Sequence, residues 1–188
     1  MEKKFKNIFR ISSARWQNWN YSQAGAYFIT ICSKGKKCVL GKIVDEKLIL
    51  TDIGKLATDY WYEIKNHSTN IELGEFVVMP NHIHGILLLN NKIGDLNIVE
   101  TGHALSQEKL KTMGQQRFQH IGNNSVSSII GSYKSAVSKQ AHRLGYNFEW
   151  QTRFYDHIIR TEKEYCKIAD YILTNVLFWG KDILNEKK

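Results

Sequence analysis

The feature that most constrains the fold is EFVVMPNHIHGILLL at residues 75–89, two apolar runs separated by the only proline of the chain. Nearly continuous apolar residues are typical of central strands that are buried on both faces of a sheet. His82 and His84 are two residues apart in the second run, so their side chains project from one face of the predicted strand. The segment therefore predicts a buried sheet that carries a pair of imidazoles.

Composition and periodicity predict the elements around this pair. The predicted strands cover residues 27–32, 38–44, 47–50 and 154–160, and the predicted helices run from Thr51 or Asp52 to Lys65, from Ser125 to Leu144 and from Glu162 to Leu173. Gly145 follows the second helix as its C′ residue. Because the early strands are joined too tightly for parallel crossovers, we expect an α+β fold with an antiparallel sheet.

The chain of 188 residues suits one domain, so we expect residues 1–188 to form a single unit. Within it, residues 1–24 form a basic N-terminal arm, and residues 90–124 are polar and glycine-containing, as in a long functional loop. The three cysteines show no disulfide-framework spacing. The sequence also has no apolar leader and no run of 18 apolar residues, so we expect a cytoplasmic protein that is not associated with a membrane.

The net charge of +8 favours a polyanionic partner, with nucleic acid first. Residues 1–20 carry five basic residues against one acidic residue, and residues 109–160 carry eight against Glu149 and Asp156. Two such stretches can fold onto one face that follows a phosphate backbone.

The His-x-His pattern has several chemical interpretations. Two imidazoles on one strand face can bind a cation, although histidines buried with ordinary hydrogen-bond partners can show the same spacing. A binuclear zinc hydrolase would continue as HxHxD, but Gly85 and Ile86 follow here, which argues against a His-His hydrolase of small phosphoesters. A zinc deaminase would need HxE and a later CxxC, and both are absent. A basic surface with two histidines suits a metal that polarises a bound phosphate.

Five segments together resemble the single-tyrosine HUH transposases, which include the REP-associated tyrosine transposases. The segments are YFITIC at 27–32, EFVVMPNHIHGILLL at 75–89, IIGSYKSAVSKQAHRLG at 129–145, FEWQTRFYDHIIR at 148–160 and YILTNVLFW at 171–179. The resemblance covers residues 16–180, and VVMPNHIHGILLL is its most specific part.

This resemblance implies a ferredoxin-like antiparallel sheet with helices on one face, the fold of HUH endonucleases. It implies a divalent metal, Mg²⁺ or Mn²⁺, held by His82 and His84, and single-stranded or hairpin DNA as the substrate. A tyrosine would attack the scissile phosphate, giving a 5′-phosphotyrosine and a free 3′-hydroxyl. Relatives include dimers and monomers, so a homodimer is compatible with the resemblance.

The nucleophile that the resemblance implies is Tyr133, on the helix after the long loop. Tyr133 also lies on the apolar stripe of this helix, the usual place of a core residue. Related enzymes often place a polar metal ligand one turn after the tyrosine, but Val137 stands there. Gln140, two turns on and on nearly the same side, is the expected third ligand.

The departure at Val137 keeps a second hypothesis open, a relative that binds nucleic acid without cleaving it. The expected DNA contacts are Arg15, Lys134 and Arg153, although Lys134 also suits a solvated helix face. Trp150 suits either the core or base stacking, and His157 suits either phosphate orientation or a structural role.

Overall fold

The computed structural model describes residues 4–5, 8–9, 23–68, 70–90 and 125–185. In chain order the strands and α-helices are β1 (Lys4–Phe5), β2 (Ile8–Phe9), β3 (Gly25–Cys32), β4 (Gly41–Val44), β5 (Lys47–Leu50), α1 (Asp52–His67), β6 (Ile71–Val78), β7 (His82–Leu89), α2 (Val126–Arg143), β8 (Tyr155–Ile159) and α3 (Glu162–Thr174). Short 3₁₀ turns add Lys34–Lys36 and Trp179–Lys181. Arg15 and nearly all of the predicted loop at 90–124 lie outside the described residues.

A four-stranded sheet with the order β6-β7-β3-β8 forms the centre, and each neighbouring pair is antiparallel. The elements β3, α1, β6, β7, α2 and β8 follow one another as βαββαβ. This connectivity and strand order are those of a ferredoxin-like fold, so the predicted α+β class is confirmed. The hairpin β4–β5 is inserted between β3 and α1, and its turn residues Asp45 and Glu46 both have positive φ, at 49° and 59°.

Helices α1 and α2 cover one face of the sheet. Their buried residues pack with alternate residues of β3 and β7 into the larger hydrophobic core, which includes Ile29, Ile83 and Leu87. The indole ring of Trp61 in α1 lies directly against Gly85 of β7. A Cβ at residue 85 would overlap this ring, so the contact requires glycine. The N-caps fit the sequence, since Thr51 and Ser125 each accept a hydrogen bond from a backbone N–H in the first turn.

Helix α3 covers the opposite face. Ile172 packs there against Ile86 and Ile159, with Phe28 and Leu88 at the edge of this smaller core. Since side chains alternate along β7, Ile86 shares its face with His82 and His84. The histidine pair therefore lies between the sheet and α3, in a different layer from α1 and α2.

No helix among the described residues is long and apolar enough to cross a membrane.

Candidate metal centre

His82 and His84 lie side by side at the start of β7, with 0% and 3% of their surfaces exposed. Their Nε2 atoms are 3.0 Å apart. This is the separation expected of two ligands of one ion, because two atoms each about 2.1 Å from an octahedral ion, at a right angle, lie about 3.0 Å apart. The alternation of the strand brings the two rings together, as the sequence predicts.

The other nitrogen of each ring is occupied by a neighbouring side chain. His82 Nδ1 lies 2.7 Å from Asn81 Oδ1, and His84 Nδ1 lies 2.8 Å from Thr30 Oγ1. Thr30 is directly opposite His84 in the pairing of β3 with β7, so the register of the sheet places this hydroxyl. Both rings are thus oriented with Nε2 towards a common point, the arrangement that outer-sphere partners give to metal-binding histidines.

Burial keeps both imidazoles neutral. It lowers the pKa of His82 to about 2, with a smaller contribution from His84, and it lowers the pKa of His84 to about 3. The neutral imidazole is the form that binds metal ions.

A carboxylate completes the cluster. Asp182 follows the 3₁₀ turn after α3, and its Oδ2 lies 3.8 Å from His82 Nε2. The potential ligand atoms of His82, His84 and Asp182 all lie within 4.8 Å of one another. Oδ2 is buried and has no hydrogen-bond partner within the described part of the chain. A group of two imidazoles and one carboxylate can hold a divalent ion such as Mn²⁺, and an ion would satisfy the unpartnered oxygen.

Tyr171 of α3 is the tyrosine next to this cluster. Its hydroxyl lies 3.2 Å from His84 Nε2, and its ring is 43% exposed, so the hydroxyl is beside the site while the residue is open to solvent. Burial is the main cause that raises the pKa of Tyr171, and Asp182 adds to the effect. A hydrogen bond with the Asn175 side chain acts in the opposite direction.

Asn175 lies one turn after Tyr171, at the end of α3. It is 3% exposed, and its Oδ1 has no hydrogen-bond partner among the described residues. The spacing of a polar residue one turn after a tyrosine, which is missing at Tyr133 and Val137, is thus present at Tyr171 and Asn175. This is the sequence signal that could have identified Tyr171. No comparable signal marks Asp182, which lies nearly a hundred residues from the histidines in an ordinary polar stretch.

The structure corrects the expected position of Tyr133. Its ring lies in the larger core, 3% exposed, in an edge-on contact with Trp61. Its hydroxyl donates to the backbone carbonyl of Ala57, and burial raises its pKa well above the ordinary value. The sheet separates this residue from the histidine pair, because α2 packs on the other face.

The same separation applies to Gln140, which is half-buried near the end of α2. The expected set of His82, His84 and Gln140 is therefore not brought together, since Gln140 belongs to the layer of α1 and α2. Lys134 is also on α2, and its ammonium group donates to the backbone carbonyls of Gln151 and Thr152 at 2.6 and 3.2 Å. Lys134 thus holds the segment before β8.

The remaining candidates are on or near β8. Arg153 is exposed just before this strand, whereas Trp150 is 7% exposed and packs against Phe148 and Tyr133 in the core. His157 lies 2.7 Å from Glu164, so its ring is held by the first turn of α3.

Comparison with known proteins gives two informative similarities, and no known family profile matches the chain. The solved structure of a REP-associated tyrosine transposase bound to a REP hairpin superposes with a TM-score of 0.58 at 22% identity. The match covers 90% of this chain and 75% of that one. The chain therefore shares its fold with this REP-associated tyrosine transposase.

An uncharacterized protein of Haemophilus influenzae is 34% identical over 173 residues, which are 92% of this chain and 91% of that protein. The chain belongs to the same family as this Haemophilus protein.

Proposed function

We propose that this protein is a metal-dependent DNA nuclease and strand transferase of the transposase type, with Tyr171 as its nucleophile. The observation that carries the proposal is the position of the Tyr171 hydroxyl, 3.2 Å from a buried imidazole pair on this fold. A phenol is a poor nucleophile until it loses its proton. A bound cation beside the hydroxyl would favour loss of that proton.

In the proposed reaction, the Tyr171 oxygen attacks the scissile phosphorus and forms a 5′-phosphotyrosine bond. The bond from phosphorus to the 3′-oxygen breaks, and the proton that the phenol loses is balanced by the proton that the 3′-hydroxyl gains. His82 and His84 would hold the ion, which when bound supplies Lewis-acid polarisation of the phosphate. Asn175 takes the place that Gln140 was expected to fill.

Single-stranded or hairpin DNA is the proposed substrate. The solved neighbour is bound to a REP hairpin, and the net charge of +8 suits a phosphate backbone. Beside the site, Tyr155 is 53% exposed and lies in the same cross-strand row as Thr30 and His84, where it can stack on a base. Arg153, exposed just before this strand, is the proposed phosphate contact here.

The test uses labelled single-stranded DNA from both flanks of the protein's own gene, incubated with Mn²⁺. We expect a covalent protein–DNA adduct that resists denaturation, that disappears with EDTA, and that maps to Tyr171 by peptide mass. Tyr171→Phe should abolish the adduct and retain DNA binding, whereas the matched variant Tyr133→Phe should retain both. An adduct that persists in Tyr171→Phe, or that Tyr133→Phe alone removes from a folded protein, would exclude this nucleophile.

Hydrolysis of small phosphoesters is a second candidate, because Asp182 supplies near the histidines the carboxylate that does not follow them in the sequence. Metal-dependent cleavage of a chromogenic phosphodiester, unaffected by Tyr171→Phe and accompanied by no DNA adduct, would favour it. The non-cleaving relative loses its main support, since the polar residue absent at Val137 is present at Asn175. DNA binding with no adduct from any flank would restore that hypothesis.

A further inference from the structure

The segment at residues 179–185 lies against the histidine pair and makes several polar contacts there. Trp179 packs near the His82 ring, with 6.1 Å between the ring centroids. Phe178 just before it is 55% exposed, and Ile183 within it is 91% exposed. Trp179 and Leu184 of this segment are half-buried, so polar contacts add to partial apolar burial in holding it in place.

The turn at Asp182 directs one carboxylate oxygen away from the segment. Asp182 Oδ1 accepts a hydrogen bond of 2.7 Å from the backbone N–H of Leu184, and the Asn185 side chain donates to the carbonyl of Trp179. Oδ2 is left facing His82, in a side chain that is only 3% exposed. This oxygen has no hydrogen-bond partner among the described residues, and a buried polar atom without a partner is costly.

Asn81 connects the segment to the same histidine. Its Oδ1 accepts from His82 Nδ1 at 2.7 Å, and its Nδ2 donates to the carbonyl of Leu184 at 2.7 Å. Asn81 is 1% exposed, so both contacts are shielded from water. One side chain therefore orients a metal-binding ring and anchors the segment at once.

We propose that Asp182 is a metal ligand delivered by the segment 179–185, and that metal binding and the docking of this segment stabilise each other. The proposal rests on the metal centre of the proposed function. The proposed ligand set then consists of His82, His84, Asn175 and the carboxylate of Asp182, so the segment 179–185 is part of the site. Asp182 can bind the ion only when the segment is docked. The free energy of this contact therefore favours the docked segment, and docking in turn strengthens metal binding.

The first test is Mn²⁺ titration by calorimetry of the full chain. Asp182→Asn should weaken Mn²⁺ binding at least about tenfold, as loss of a ligand or its immediate support does. The matched variant Asp170→Asn removes an exposed carboxylate of α3 and should bind Mn²⁺ as the unmodified protein does. Equal affinity in Asp182→Asn and the unmodified protein would refute Asp182 as a ligand.

The second test begins with the unmodified protein, so its main result does not depend on the folding of Asp182→Asn. Backbone amides of residues 181–185 should exchange with deuterium more slowly when Mn²⁺ is added, and this added protection should be absent in Asp182→Asn. If the exchange rate of these amides is the same with and without Mn²⁺, metal binding and docking of the segment are not coupled. If Asp182→Asn binds Mn²⁺ normally but still forms the DNA adduct, this inference fails and the proposed function stands. If Asp182→Asn binds Mn²⁺ more weakly but the unmodified protein forms no DNA adduct, the proposed function fails and this inference stands.

Discussion

At the scale of single residues, the candidate metal centre includes side chains that would orient its ligands without touching the ion. Thr30 and Asn81 each occupy one nitrogen of a buried imidazole and so direct the other nitrogen towards the site. Because these contacts select the ring nitrogen that is free to bind, the two residues are positioning residues.

Thr30→Val keeps the shape of the side chain and removes the oxygen that faces His84 Nδ1. We expect Mn²⁺ to bind about 10- to 100-fold more weakly, as is usual when such a partner is lost. Calorimetric titration measures the change. Thr174→Val is the control, because the Thr174 hydroxyl donates to the carbonyl of Asp170 in its own helix. Similar affinities for the two variants would show that the Thr30 hydroxyl does not orient the ring.

At the scale of elements, local patterns predict helices and strands well but do not predict which face of the sheet a helix covers. The apolar stripe of α2, its start near Ser125 and the position of Gly145 after its end follow from neighbouring residues, and the structure has them as expected. The layer of α2 depends on connections between distant strands. Tyr133 lies on the apolar stripe of α2, as expected, but the sheet stands between this residue and the histidines.

The strand pair of histidines was predictable because alternation along a strand is local. Asp182 was not, because only the return of the chain after α3 brings this carboxylate to His82. Predicting a site whose residues are far apart in sequence requires knowledge of the tertiary structure. The exception is a part of the site marked by a short motif, such as Tyr171 with Asn175.

The contact of α1 with β7 gives a prediction at this scale. Gly85→Ala would push a methyl group into the Trp61 ring, so we expect unfolding free energy to fall by about 1–3 kcal/mol. The control is Gly131→Ala on α2, where a Cβ meets nothing within 4 Å and helix propensity should add about 0.5–1 kcal/mol. Urea unfolding followed by circular dichroism gives both values. A loss at Gly131 equal to that at Gly85 would contradict the packing argument.

At the scale of the whole molecule, the sheet separates two layers of helices in the part of the chain that the structure describes. The layer of α1 and α2 contains the larger core, and the layer of α3 contains the histidines, Tyr171 and Asp182. A ferredoxin-like sheet permits this division, because β7 presents Ile83 and Leu87 to one layer and the histidines to the other. Stability and chemistry should then respond to different substitutions.

The two tyrosines test this division with the same chemical change. Tyr133→Phe removes a buried hydroxyl that donates to Ala57, so unfolding free energy should fall by about 1 kcal/mol, while Mn²⁺ affinity stays unchanged. Tyr171→Phe removes a hydroxyl from a ring that is 43% exposed, so its effect on stability should stay within about 0.5 kcal/mol. Urea unfolding in EDTA and Mn²⁺ calorimetry on both variants give the comparison. A Tyr133→Phe protein that loses Mn²⁺ binding while keeping its stability would show that the sheet does not separate the two tasks. Because both variants lose one oxygen, any difference between them reflects the layer in which that oxygen lies.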